Sequence, residues 1–172
     1  MNPALFRPTA DSEARLLILI DTFTTPTRSL EGRMKLAKLD FLLRYPDRLR
    51  VALARRAPAE EWPSNIDARP TIEGRMIRYR YGPWDPAYFA LLGRLVGRGL
   101  IVPVPGTRSV TYRTTETGHQ VASDLRANPH WDETSKLAVL LKRHFDLGGT
   151  RLKEMIYEYF PDIARAGWGK TV

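Results

Sequence analysis

Cysteine is absent from the 172 residues, which removes disulfides, thiolate metal sites and cysteine nucleophiles together. Long apolar runs are missing too. The run at 16–20 is far shorter than the roughly 20 residues a membrane-spanning helix needs. The first residues lack the basic region, apolar stretch and small-residue cleavage site of a signal peptide. A cytoplasmic protein without a membrane partner is therefore expected. Histidine is scarce, and His119, His130 and His144 are scattered without metal-ligand spacing. Neither Gly-x-Ser-x-Gly nor His-Glu-x-x-His occurs. Gly169-Lys170-Thr171 ends like a phosphate-binding loop, but Ala164 stands where its first glycine belongs and too little chain follows for the helix. No catalytic set, metal or cofactor is expected, so the chain reads as a non-enzyme that binds something.

Negative charge is the scarcer sign. There are 27 Lys and Arg against 19 Asp and Glu, a formal +8, and most of the cations are arginine. The planar guanidinium fork suits phosphate and carboxylate, so the excess favours an anionic partner, with double-stranded DNA the first candidate. The alternative is a set of solvated surface arginines. Hydrophobic residues at 43% allow a proper core in a chain of this length.

Apolar spacing predicts a helix over 11–23, with Leu16, Leu19, Ile20 and Phe23 on one stripe. A second helix over 32–45 is apolar over more than half its circumference and should be central to the core. Pro46 opens a third, carrying Leu49, Ala52 and Leu53 inward and Arg48, Arg55 and Arg56 outward. Periodicity is lost over 57–70, where Pro58, Pro63 and Pro70 indicate a loop. Strand alternation follows at 76–81. Asp85-Pro86 then starts a helix over 86–98, whose stripe is read as Phe89, Leu92 and Val96, and Gly99 ends it. Strands at 100–104 and 109–113 flank the turn residues Pro105-Gly106-Thr107-Arg108 and make a hairpin. Thr115 caps a helix to about residue 125, and two further helices are expected near 131–145 and 150–160.

The fold class is thus mainly α with a small β component. The order helix, helix, strand, helix, hairpin, helix predicts a winged helix-turn-helix with additional C-terminal helices. It divides into a winged-helix domain over 1–128, a C-terminal helical pair over 129–163 that serves as interface or core cap, and a frayed tail over 164–172. Gly99 supplies the left-handed turn into the wing, while Leu100 and Tyr112 pin its two strands to the core.

The string Gly99-Leu100-Ile101 through Tyr112-Arg113-Thr114-Thr115-Glu116-Thr117-Gly118 carries the likeness to winged-helix proteins. Three more strings extend it: Lys35-Leu36-Ala37-Lys38-Leu39-Asp40-Phe41-Leu42-Leu43-Arg44-Tyr45-Pro46, then Tyr79-Arg80-Tyr81-Gly82-Pro83-Trp84, then His144-Phe145-Asp146. Together they resemble the small winged-helix middle components of ABC-three-component systems, which are related to the small subunits of Lamassu-type anti-phage systems. The resemblance spans residues 16–160. It implies an adaptor subunit in antiviral defence, partnered by an SMC-like ATPase and an effector. A homodimeric winged-helix transcriptional regulator is the alternative.

Several residues carry the functional expectation. Arg94, Arg98 and Arg108 form the natural phosphate-contact set, joined by Arg113 on the wing. Trp84 and Tyr88 stand where a recognition helix meets DNA or a partner, with packing under the wing as the other reading. Trp131, Leu141, Phe145, Leu152, Met155, Ile156 and Tyr159 exceed what a small winged domain needs and form the expected partner interface. Asp40, within an apolar helix, needs a partner, and Arg44 lies one turn on.

Overall fold

The computed structural model describes residues 8–66 and 86–165. The expected strand at 76–81, Trp84, Asp85 and Gly169-Lys170-Thr171 lie outside them. The described chain is mainly helical with one small antiparallel sheet.

Helix α1 (Ala10–Phe23) begins where the Thr9 side chain accepts from the Ser12 N–H at 3.1 Å. Leu16, Leu17, Ile18, Leu19 and Ile20 are all buried, so α1 is enclosed on every side and forms the axis of the core. Its carbonyl end has no cation of its own in the last turn. Distant residues provide them instead: Lys142 donates to the Thr22 carbonyl at 2.7 Å and Arg126 to that of Ile18 at 3.4 Å, complementing the helix dipole.

After a two-residue strand, β1 (Leu30–Glu31), Gly32 adopts φ +79° and starts α2 (Gly32–Arg44). Residues 35–44 are all buried, so α2 is as central as its composition predicts. Lys35, from the first of the resemblance strings, donates to Asp146, from the last, at 2.6 Å. Helix α3 (Pro46–Arg56) follows and turns Leu49, Ala52 and Leu53 inward, as expected. The loop beyond it contains one 3-10 turn at Ala59–Glu61.

Helix α4 (Ala87–Gly97) leads through Gly99, φ +69°, into β2 (Ile101–Pro105) and β3 (Val110–Thr114). The hairpin sits one residue later than the spacing indicates, and Ile101, 1% exposed, is the residue that pins β2, whereas Leu100 is only partly buried. Tyr112 anchors β3 as expected. The sheet order is β1-β3-β2, with Leu30 opposite Tyr112 and Ile101 opposite Thr114. Pro103 and Pro105 are tolerated because β2 is an edge strand among the described residues.

Thr115 accepts from the Gly118 N–H at 2.9 Å and opens α5 (Glu116–Ala127). Gly118 crosses so close to the wing that a Cβ there would lie 1.8 Å from the Leu100 carbonyl oxygen. Helices α6 (Asp132–Phe145) and α7 (Gly149–Tyr159) pack on α1 and α2, and α8 (Pro161–Arg165) closes over α7. Leu137, Leu141, Phe145, Leu152 and Ile156 belong to the same buried cluster as α1 and α2. The side chains of α6 and α7 thus share one buried cluster with α1 and α2. Helical structure also continues to Arg165, one residue past the start of the expected tail.

Candidate interaction surface on the fourth helix and wing

What α4 shows to the outside follows from what it hides. Its buried side chains are Tyr88, Leu91, Leu92 and Leu95, one stripe at helical spacing. Phe89 and Val96, expected inside, are 53% and 39% exposed. The helix is apolar on both candidate stripes, and a polar centre beneath it decides between them.

That centre is Asp40, wholly buried on α2. Arg15 of α1 donates to it through Nε at 2.6 Å and Nη2 at 3.2 Å, and the Tyr88 hydroxyl donates at 2.6 Å. Arg44, the expected partner, stands at 3.5 Å as a secondary one. Burial alone would push the Asp40 carboxyl up, but the charges of Arg15 and Arg44 and the hydrogen bonds from Arg15 and Tyr88 outweigh it and hold the group below its ordinary value. Burial pushes the Tyr88 hydroxyl well above the usual tyrosine range, so it stays a donor. Helices α1, α2 and α4 are thereby fixed in register by one carboxylate, and Tyr88 is a core residue with no surface for DNA or a partner.

The expected phosphate-contact arginines are not equivalent. Arg94 lies 3.2 Å and Arg98 3.4 Å from the carboxylate of Glu13, whose side chain is 7% exposed. Arg113 donates to the Thr25 carbonyl at 3.1 Å and ties the hairpin to the end of α1. Arg108 is exposed in the hairpin turn with no carboxylate beside it among the described residues. The outward strip of α4 runs through Ala90, Gly93 and Gly97, with Phe89 and Val96 along one flank and Arg94 and Arg98 along the other. It offers no amide or hydroxyl for reading bases.

The side chains expected on the last helices as an interface or a core cap are mostly buried within the chain. Leu141, Phe145, Leu152 and Ile156 are 0% exposed and Met155 is 5% exposed, while Trp131 and Tyr159 pack partly buried against the same core. These side chains cover α1 and α2 of their own chain and leave little for a second molecule.

Two of the histidines meet carboxylates that their sequence spacing did not reveal. His119 Nδ1 is 3.0 Å from Asp21, which also accepts from Arg126 at 2.6 Å and Thr114 at 2.8 Å. His144 Nε2 is 2.8 Å from Glu61, and this hydrogen bond, with help from Arg143, holds the Glu61 carboxyl below its ordinary value. Among the described residues no group of His, Asp and Glu is arranged to hold a metal ion. Glu13, Arg15 and Asp21 were missed as organising residues. They are polar positions on an apolar helix, and their partners lie 25 or more residues away for Arg15 and Asp21 and more than 80 for Glu13.

No family model matches the sequence, and no curated protein or solved structure matches it either.

Proposed function

We propose that the chain is a non-catalytic, cytoplasmic winged-helix adaptor that docks on an SMC-like ATPase within an anti-phage defence complex that includes an effector. The winged-helix reading is supported by the path of the chain: α1, β1, α2, then α4 running directly into a two-stranded wing whose second strand pairs with β1. The assignment to a defence system rests on the resemblance of the sequence strings, two of which the Lys35–Asp146 pair brings together.

One observation carries the adaptor reading over the regulator reading. The outward strip of α4 is small and apolar, and the two arginines beside it stand 3.2 and 3.4 Å from the one carboxylate of Glu13. A helix that reads a major groove presents amide, hydroxyl or free guanidinium groups to base edges. Contact with DNA in the complex then falls to Arg108 at the wing tip and is sequence-independent. Co-expression with the neighbouring operon products, followed by size-exclusion chromatography, tests the reading. Co-elution with the ATPase is expected; migration alone under every nucleotide condition would refute it.

A further inference from the structure

A cavity of about 760 Å³ opens between the turn at 61–65 and the outer side of α6, a volume within the range of small-molecule sites. Lys136, Val139, Leu140 and Arg143 recur at i, i+3, i+4 and i+7 and so form one wall. Trp62 lines it from the turn, with its ring fixed by the bond from Nε1 to the Ala57 carbonyl at 3.1 Å. Val139, 50% exposed, gives the α6 wall an accessible apolar side chain. Ser64 and Asn65 add a hydroxyl and an amide to the lining, and among the described residues neither side chain makes a hydrogen bond.

Charge narrows what the cavity can hold. Its two cations are both bonded to carboxylates, Lys136 to Asp132 at 2.7 Å and Arg143 to Glu61 at 3.0 Å. Glu133 brings the lining to three carboxylates against those two cations, so a phosphate or carboxylate ligand is disfavoured. A wholly apolar ligand would cover the Asn65 amide and the Ser64 hydroxyl without replacing their bonds to water. A sugar would need more free polar partners than these two. What remains is aromatic and aliphatic surface beside one amide, which offers a donor and an acceptor together. A planar heterocycle whose edge carries an adjacent acceptor and donor matches both parts. We propose that this cavity binds a nucleobase in the form of its uncharged nucleoside, the ring against Trp62 and Val139 and the edge on Asn65 and Ser64. The site is separate from α4 and does not depend on the adaptor reading.

Titration of the full chain with adenosine, cytidine and uridine, followed by calorimetry and saturation-transfer NMR, tests the proposal. At least one of them should bind the wild type with a dissociation constant on the order of 0.1 mM, as expected for a ligand of about twenty heavy atoms. Val139→Trp fills the cavity from an exposed helix position and should weaken that binding at least about tenfold without lowering the melting temperature. Ser64→Ala with Asn65→Ala removes the edge contacts and should also weaken it about tenfold. If Val139→Trp does lower the melting temperature, the double alanine variant decides alone. No binding of any of the three nucleosides up to about 5 mM would overturn the proposal, as would binding that a folded variant leaves unchanged. Indole or tetramethylammonium bound as tightly as the nucleosides would overturn it too, in favour of a plain apolar or an organic-cation site.

Discussion

A single buried carboxylate determines how α4 sits, and its energetics are accessible to titration. Asp40 is held ionised by Arg15 and Arg44 below the ordinary carboxylate range, so as pH falls the unfolded chain takes up its proton first. The stabilisation is complete above the unfolded value of about 4 and is lost as pH drops through the folded one. Asp40→Asn should therefore lower stability at neutral pH by about 3–5 kcal/mol, because two buried arginines lose their counter-charge, and should flatten the acid limb of a plot of urea midpoint against pH. Lys38 gives the opposite kind of signature. It is 2% exposed, donates to the Met34 carbonyl, and is pushed down to about 8 from 10.5, first by burial and then by the charge of Lys153. Between those values the unfolded chain binds more protons, so stability rises with pH across that window. Replacing Lys38 by Met should raise stability at pH 7 by on the order of 3 kcal/mol and abolish that rise, as followed by urea unfolding at a series of pH values.

Elements differ in how plainly their residues announce them. Helices α1, α2 and α3 were legible because apolar spacing and Pro46 agree. Helix α4 was legible as a helix but not in its orientation. Tyr88, Phe89, Leu91, Leu92, Leu95 and Val96 place apolar groups on two overlapping stripes, and only the Tyr88 bond to Asp40 selects one. Strand β1 has two residues, too few to show any alternation, and becomes a strand through its pairing with β3. Arg15 and Asp40 are separated by 25 residues, so their pairing is a tertiary fact, whereas Arg44 one turn away was visible. The wing strands were placed one residue early, since Leu100 and Ile101 are equally β-prone and the sheet register decides between them. Gly118 carries no sequence signal of its own beyond the resemblance, yet it marks the tightest approach among the described glycines. Gly118→Ala would force the start of α5 away from Leu100 and should cost about 3 kcal/mol or more, the upper range for overpacking, measurable by chemical denaturation.

At the scale of the molecule, one buried cluster runs from α1 to α8 among the described residues. Helices α6 and α7 bury their apolar faces on α1 and α2, so a chain truncated after residue 128 should expose that surface and lose its cooperative thermal transition by circular dichroism. Many of the apolar residues at the C-terminal end, read from sequence as an interface or a core cap, lie against α1 and α2 in the buried cluster. Among the described residues, the outward strip of α4 and the hairpin turn are exposed, with Arg94, Arg98 and Arg108 beside small and apolar side chains. We propose that α4 and the hairpin after it dock on a partner and do not read sequence. Selection of the chain against a library of random DNA duplexes tests it most directly: salt-sensitive binding with no enriched motif is predicted, and a motif bound at least about a thousandfold more tightly than random DNA would contradict it.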